Sequence, residues 1–318
     1  MGLRRYLEDL LHHASDTKHL LEEERQKLDG LYYSMMNVVF QQRVDCLREK
    51  TLNSAESGIS DEKYCDHEVV VSLTTFGKRI YDVYLAIESI MQGTMKPNRI
   101  VLWLSDKEFK GKPLPITLQK QQKRGLEVRF CEDVRSYTKL IPALKQFPDA
   151  CIITIDDDAM YEYDIIERLV NSHIENPGTV CACRIHKVKL DENQMPLSYL
   201  EWEHETMHGD TGSPLLFPTG VGGVIYPPHC FSEEVLNKEV FLSICQYADD
   251  VWFYAMELLD NVPVAQTYTG VPCYYMNLPS SQLDPLSKEN VDETSCRNDV
   301  QIKAVFEKYH LNLKFQNS

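Results

Sequence analysis

The chain has 318 residues, of which 43% are hydrophobic and 25% charged, with a formal net charge of −15. Such a chain is an ordinary soluble globular protein with enough length for an ample core. The negative charge argues against nucleic acid as a partner, because no basic face is apparent to offset it, and an anionic substrate would need locally placed cations.

The first residues, MGLRRYLEDLLHH, are too charged for a signal peptide or membrane span, so the expected location is cytoplasmic. Leu3, Tyr6, Leu7, Leu10, Leu11 and Ala14 recur at helical spacing. A second helical stretch runs from about Thr17 to Lys50, with Leu21, Leu28, Leu31, Met35, Val38 and Val39 as its apolar positions. Residues 1–58 therefore read as an N-terminal helical segment. Three roles are open to it: a hairpin packed on the rest of the chain, an element for homo-oligomer formation, or peripheral contact with the inner face of the membrane. The last is the least favoured, because acids share the polar face with Arg4 and Arg5. Asn53 to Asp66 reads as a linker.

From residue 68 to 318 the pattern is that of a second domain. Val69 to Thr74 is a buried strand, and Ile80 to Met91 an amphipathic helix ending at Gly93. Ile100–Leu104 is a second strand, Ile116–Arg124 a surface helix closed by Gly125, and Leu126–Phe130 a third strand. A short helix over Tyr137–Leu144 leads to Ala150–Asp158. Repeated β-α-β units of this length predict an α/β fold: a mostly parallel, Rossmann-like central sheet with helices on both faces. Ligands on such sheets sit beyond the C-terminal strand ends. Ile165–His173 is then a helix and Val180–Ile185 a strand. Asp191–Pro214 is a long polar insertion of the kind that forms binding loops. Thr219–Tyr226 is a glycine-rich strand entry, and Asp249-Asp250 opens a helix to about Leu259. Val264–Thr269 is a late strand and Asn298–Tyr309 a final helix.

The chemistry concentrates at Asp156-Asp157-Asp158. An apolar strand ends there in three carboxylates, with Asp156 and Asp158 expected on one side and Asp157 on the other. Converging carboxylates need a cation, and a divalent metal carrying substrate phosphates suits them. A bland reading is an acidic loop that merely stops the strand. The ten cysteines lie scattered, with one C-x-C at Cys181 and Cys183 and no C-x-x-C. Neither a structural zinc site nor a disulfide framework is expected, and buried thiols are.

The ordered set of D-D-D, the phrase F-P-T-G-V-G-G-V-I-Y-P-P and A-D-D-V-W-F resembles the nucleotide-sugar glycosyltransferases of the GT-A fold. The likeness is to the inverting, cellulose-synthase-like and bacterial surface-polysaccharide type, over roughly residues 68–268. The resemblance implies a hexosyltransferase-like enzyme moving a sugar from a nucleotide-diphosphate sugar, UDP by preference, to a hydroxyl of a glycan or lipid-linked glycan. It implies Mn²⁺ or Mg²⁺ on Asp158 and Asp156, with Asp157 beside the donor. It makes Asp250 the general base and Asp249 a group that orients the acceptor. It also puts Thr74, Thr75, Arg79, Asp106, Lys139, Gly222 and Gly223 against the donor. Asp249 could equally be a helix N-cap, Arg79 and Lys139 solvated charges, and the glycines a bulge. One departure from the pattern is that no histidine lies between Asp250 and Tyr309 to serve as a further ligand. His204, His208 and His229 read as loop histidines.

Three other readings compete. A dinucleotide-dependent oxidoreductase would need a G-x-G-x-x-G that Thr74-Thr75-Phe76-Gly77-Lys78 does not supply. A metal-dependent phosphohydrolase would leave Asp249-Asp250 and the glycine strand unexplained. A non-catalytic scaffold carrying a transferase-like domain would not need both acid sets.

Overall fold

The structure, a computed structural model, describes residues 2–268, 270, 272–279, 296–311 and 313, with side chains from residue 18 onward. The side chains of Leu3 to Ala14 and the last residue of the expected late strand, Thr269, lie outside the described residues. The chain forms two compact units, residues 1–49 and 50–318.

The first unit is a single element. Helix α1 runs unbroken over Gly2–Asn53, its last residues belonging to the second unit. The two helical stretches read from the sequence are thus one, because Ser15-Asp16-Thr17 contains no glycine or proline to interrupt the ladder. The hairpin reading falls with that. Leu21, Leu28, Leu31, Met35 and Val38 are all exposed. No helix among the described residues is long and apolar enough to cross a membrane.

The second unit runs β1 (Val69–Thr74), α2 (Val83–Met91), β2 (Arg99–Ser105), α3 (Asp106–Phe109), α4 (Ile116–Gln122), β3 (Leu126–Cys131), α5 (Ile141–Gln146) and β4 (Cys151–Thr154). It continues with β5 (Ala159–Tyr161), α6 (Ile165–Glu175), β6 (Val180–Ala182), β7 (Ile185–Lys187), β8 (Leu216–Pro218) and β9 (Val224–Tyr226). It ends with α7 (Lys238–Ile244), α8 (Asp249–Leu259), β10 (Val264–Gln266), β11 (Tyr275–Asn277) and α9 (Arg297–Tyr309).

Seven strands make one sheet in the order β10-β6-β9-β4-β1-β2-β3. Every neighbouring pair is parallel except the two that β9 makes, with β4 and with β6. The fold is therefore the mostly parallel α/β architecture that the alternation of apolar runs predicts. β1 is buried along nearly its whole length, as a strand covered on both faces must be. Val70, Val101 and Ile152 share one core with Tyr137, Phe241, Val251, Trp252 and Phe306. Their strand neighbours Val71, Leu102 and Ile153 are equally buried, and successive side chains of a strand face opposite ways.

Two local readings change. The strand expected over Val180–Ile185 is broken after Ala182, and β7 pairs with β8 in a separate ladder, leaving Arg184 between the two. The expected linker is docked, not free. The N–H of Gly58 donates to the carbonyl of Arg124 at 2.8 Å, and that of Ser60 to Pro97 at 3.0 Å. Arg124 donates to the carbonyl of Glu56 at 2.7 Å and to the fully buried carboxylate of Glu88 at 2.8 Å. Thr51 adds a hydroxyl to the same carboxylate at 3.1 Å.

Candidate active site

Strands β1, β2 and β4 run parallel, so their C-terminal ends open on one side of the sheet. A cavity of about 1080 Å³ lies there, and its walls include Thr74, Thr75, Arg79, Lys139, Asp156 to Asp158, Asp249 and Asp250. Both acid sets that the sequence singles out thus face one space, although more than ninety residues separate them.

The link between them is Lys139. It sits at the end of a 3-10 turn over Arg135–Lys139, just before α5. Its ammonium donates to Oδ1 of Asp156 at 2.8 Å and stands 3.1 Å from Oδ2 of Asp249. Burial works against its charge, but Asp156, Asp249 and Asp250 outweigh that and hold the amine protonated. Its backbone is pinned as well. The hydroxyl of Ser72 donates to the Lys139 carbonyl at 2.5 Å, and the indole of Trp103 donates to Ser72 at 2.9 Å. The phenol of Tyr137 donates to the carbonyl of Cys245 in the loop before α8 and stacks on Phe241.

The acidic turn departs from simple alternation. β4 ends at Thr154, so the period of two lapses before the carboxylates. Asp156 turns to Lys139. Asp157 and Asp158 share Arg79, whose Nη1 lies 3.0 Å and 2.9 Å from them. Thr75 also donates to Asp157 at 2.5 Å. Asp157 is the most buried of the three, and burial raises its carboxyl despite those donors. Asp158 is pushed up to about 6, first by burial and then by the charges of Asp156 and Asp157. The turn therefore carries more negative charge than Arg79 and Lys139 compensate. The hydroxyl of Thr74 donates to the carbonyl of Trp103 at 3.0 Å. Both threonines brace the scaffold while lining the cavity.

At the other acid set, Asp249 is paired with Lys139 and Asp250 is not. Asp250 accepts from the N–H of Gly220 at 3.1 Å. Burial, and then the neighbouring Asp249 charge, push it up to about 7. Neither acid caps α8 by a side-chain bond, since the N-cap position is Ala248.

Three expected contacts are not part of the cavity wall. Gly222 and Gly223 are absent from it, and Asp106 pairs along its own turn with Lys110 at 3.1 Å. Ser105 and Glu108 reach the cavity instead. A Cβ at Gly222 would collide with Arg184, and Gly223, at φ +87°, packs on Leu169. These glycines serve close chain packing. Gly220 is the one that matters to the acids, since a Cβ there would stand 2.5 Å from the Lys139 ammonium and 3.1 Å from Oδ1 of Asp250.

Sequence reasoning missed Arg135, Arg184, His186, Tyr199 and Tyr247, which also line the cavity, and His204, read as a loop histidine, joins them. Arg184 donates to Thr219 at 3.0 Å and to Glu205 at 2.8 Å. One signal was available: Ser72 is a lone hydroxyl inside the apolar run V-V-V-S-L, and a buried hydroxyl there needs a partner.

No family model matches the chain, and no curated protein matches it in sequence. Among solved structures, a CMP:2-keto-3-deoxy-manno-octonic acid synthetase complexed with CTP is similar at 10% identity and a TM-score of 0.40, over 71% of this chain and 99% of its own.

Proposed function

We propose that the protein is a glycosyltransferase that moves a sugar from a nucleotide-diphosphate donor, a UDP-sugar by preference, to a glycan hydroxyl with inversion at the anomeric carbon. The observation that carries this reading is the bridge of Lys139 between Asp156 and Asp249, which ties a diphosphate-side acid turn to an acceptor-side acid pair within one cavity. Four cationic side chains, Arg79, Arg135, Lys139 and Arg184, line that cavity, as an anionic donor requires of a chain with net charge −15.

Roles follow from the environments. Asp249, paired with Lys139, orients the acceptor. Asp250 has no such partner among the described residues and is raised to about 7, where a base is most effective near neutral pH, so it takes the proton of the acceptor hydroxyl. Asp158 and Asp156 would hold Mn²⁺ or Mg²⁺. Their all-oxygen donor set, on a turn whose three carboxylates face only Arg79 and Lys139, fits a hard cation that takes one or two carboxylates and completes its shell with phosphate and water. Such an ion supplies Lewis-acid charge to the leaving diphosphate. Arg79 and Lys139 fix the positions of the carboxylates.

The test is a screen of nucleotide sugars for Mn²⁺-dependent hydrolysis or transfer. The reading expects release of nucleoside diphosphate, an anomerically inverted product by NMR, and loss of metal-dependent donor binding in Asp158→Ala. Release of inorganic phosphate, or donor binding unchanged in that variant, would overturn it.

The first unit fits self-association. Leu21, Leu28, Leu31, Met35 and Val38 recur at coiled-coil spacing and are exposed, so a second copy of α1 is the matching surface. Sedimentation of the full chain should give an oligomer that Leu28→Asp dissociates.

A further inference from the structure

We propose that Cys65, Cys151 and His173 form a site for a zinc-class divalent cation, at the end of β4 opposite the acidic cavity. The three come from separate elements: the segment entering β1, the first residue of β4, and α6. One ligand atom of each lies within 4.8 Å of the other two. The Sγ of Cys151 is 3.3 Å from Nε2 of His173. Zinc bonds of about 2.3 Å to sulfur and 2.0–2.1 Å to nitrogen set tetrahedral ligand atoms roughly 3.5–3.8 Å apart. The site therefore needs shifts on the order of an ångström, within the reach of side-chain torsions.

The composition also favours a soft or borderline ion, since two thiols and an imidazole select zinc over magnesium or calcium. Cys151 is fully buried and His173 nearly so. An imidazole in that position would normally find hydrogen bonds for both nitrogens. His173 instead has only a thiol beside Nε2, and Nδ1 has no hydrogen-bond partner among the described residues. A cation at Nε2 would take the lone pair that this nitrogen turns toward the Cys151 thiol, with the proton then on Nδ1.

Cys151 is fixed by the sheet. It is in register with Val69, and its N–H donates to Glu68 at 2.9 Å. Cys65 is held near it as the chain turns toward β1, with Sγ 3.2 Å from the carbonyl of His67, and the His67 ring is 2.9 Å from the carbonyl of Asp149. No fourth side chain completes the group among the described residues. Cys65 is only partly buried, so water takes the fourth position from its side. The ion would tie the strand entry to the base of the sheet, as a clamp with no part in the transfer. The separations of 86 and 22 residues form no recognisable ligand motif, which is why the sequence argued against zinc.

The test is cobalt titration of the full-length, reduced protein. The expected result is one equivalent that gives a near-ultraviolet thiolate-to-cobalt charge-transfer band with the visible bands of a four-coordinate ion, displaced by one equivalent of zinc. An ion on the oxygen ligands Asp156 and Asp158 gives no thiolate band, so the two sites are told apart and either can fail alone. Cys65→Ser, at a partly exposed position, should fold as judged by circular dichroism. It should weaken binding by more than the roughly 10–100-fold that follows loss of a ligand's outer hydrogen-bond partner. No thiolate band at stoichiometric cobalt, an identical band in Cys65→Ser, or a Cys65–Cys151 disulfide that persists in the reduced protein would each overturn the proposal.

Discussion

The backbone N–H of Gly220 donates to Oδ1 of Asp250 at 3.1 Å, and the space above Gly220 is filled by the Lys139 ammonium. A methyl group at this position would push the lysine off its two carboxylates or the Asp250 carboxylate off its donor. In Gly220→Ala turnover should fall by about 10²-fold, the effect of displacing a reacting group by roughly an ångström. Tm should fall as well if Lys139 is the group that moves, because its two carboxylate partners would lose their counter-charge. Steady-state kinetics beside thermal denaturation checks this, and unchanged turnover would show that the contact is not needed.

Asp250→Asn should lower turnover by about 10²–10⁴-fold with donor binding nearly unchanged. A base acts when ionised, and Asp250 is raised to about 7, so the wild-type kcat/KM should decline as pH falls through about 7. The residual rate of the variant should lack that limb. Ionising a carboxyl raised above its unfolded range costs stability, so above pH 7 the variant should be no less stable than the wild type. A pH–rate profile with denaturation at two pH values separates these outcomes.

Glu257, on α8, is fully buried, and its two carboxylate oxygens have no hydrogen-bond partner among the described residues. Burial, and then the charge of Asp250, push it from 4.5 up to about 8. Its folded form holds a proton that the unfolded chain releases, so the stability it contributes is complete below 4.5 and is lost as pH rises to about 8. The slope is on the order of 1 kcal/mol per pH unit. In Glu257→Gln the unfolding free energy measured in urea should lose this part of its pH dependence. A parallel pH profile in both proteins would refute the assignment.

Glu88 and Arg124 form a buried ion pair at 2.8 Å, with side chains 0% and 3% exposed. Removing one partner leaves the other charge uncompensated inside the protein. Glu88→Ala should therefore cost about 3–5 kcal/mol in urea denaturation. A loss below about 1 kcal/mol would mean that water reaches the pair, as at exposed ion pairs.

The sequence by itself determined the features that depend on neighbours along the chain. Apolar runs such as Val69–Leu73 and Ile100–Leu104 made the strands, because burial on both faces leaves no polar side. The positions of Asp156–Asp158 at a strand end and Asp249-Asp250 at a helix start were legible for the same reason. The unbroken α1 was misread although it too is local, since a polar stretch without glycine or proline is no stop signal. Only the tertiary structure decided what depends on which strand lies beside which. β4 lies between β1 and an antiparallel β9, an order the chain does not follow. That order puts Lys139 between acids 17 and 110 residues away, selects Gly220 over Gly222 and Gly223, and gathers Cys65, Cys151 and His173. Side-chain periodicity reports the face on which a residue lies, whereas distances between elements come from packing, which no stretch of sequence specifies alone.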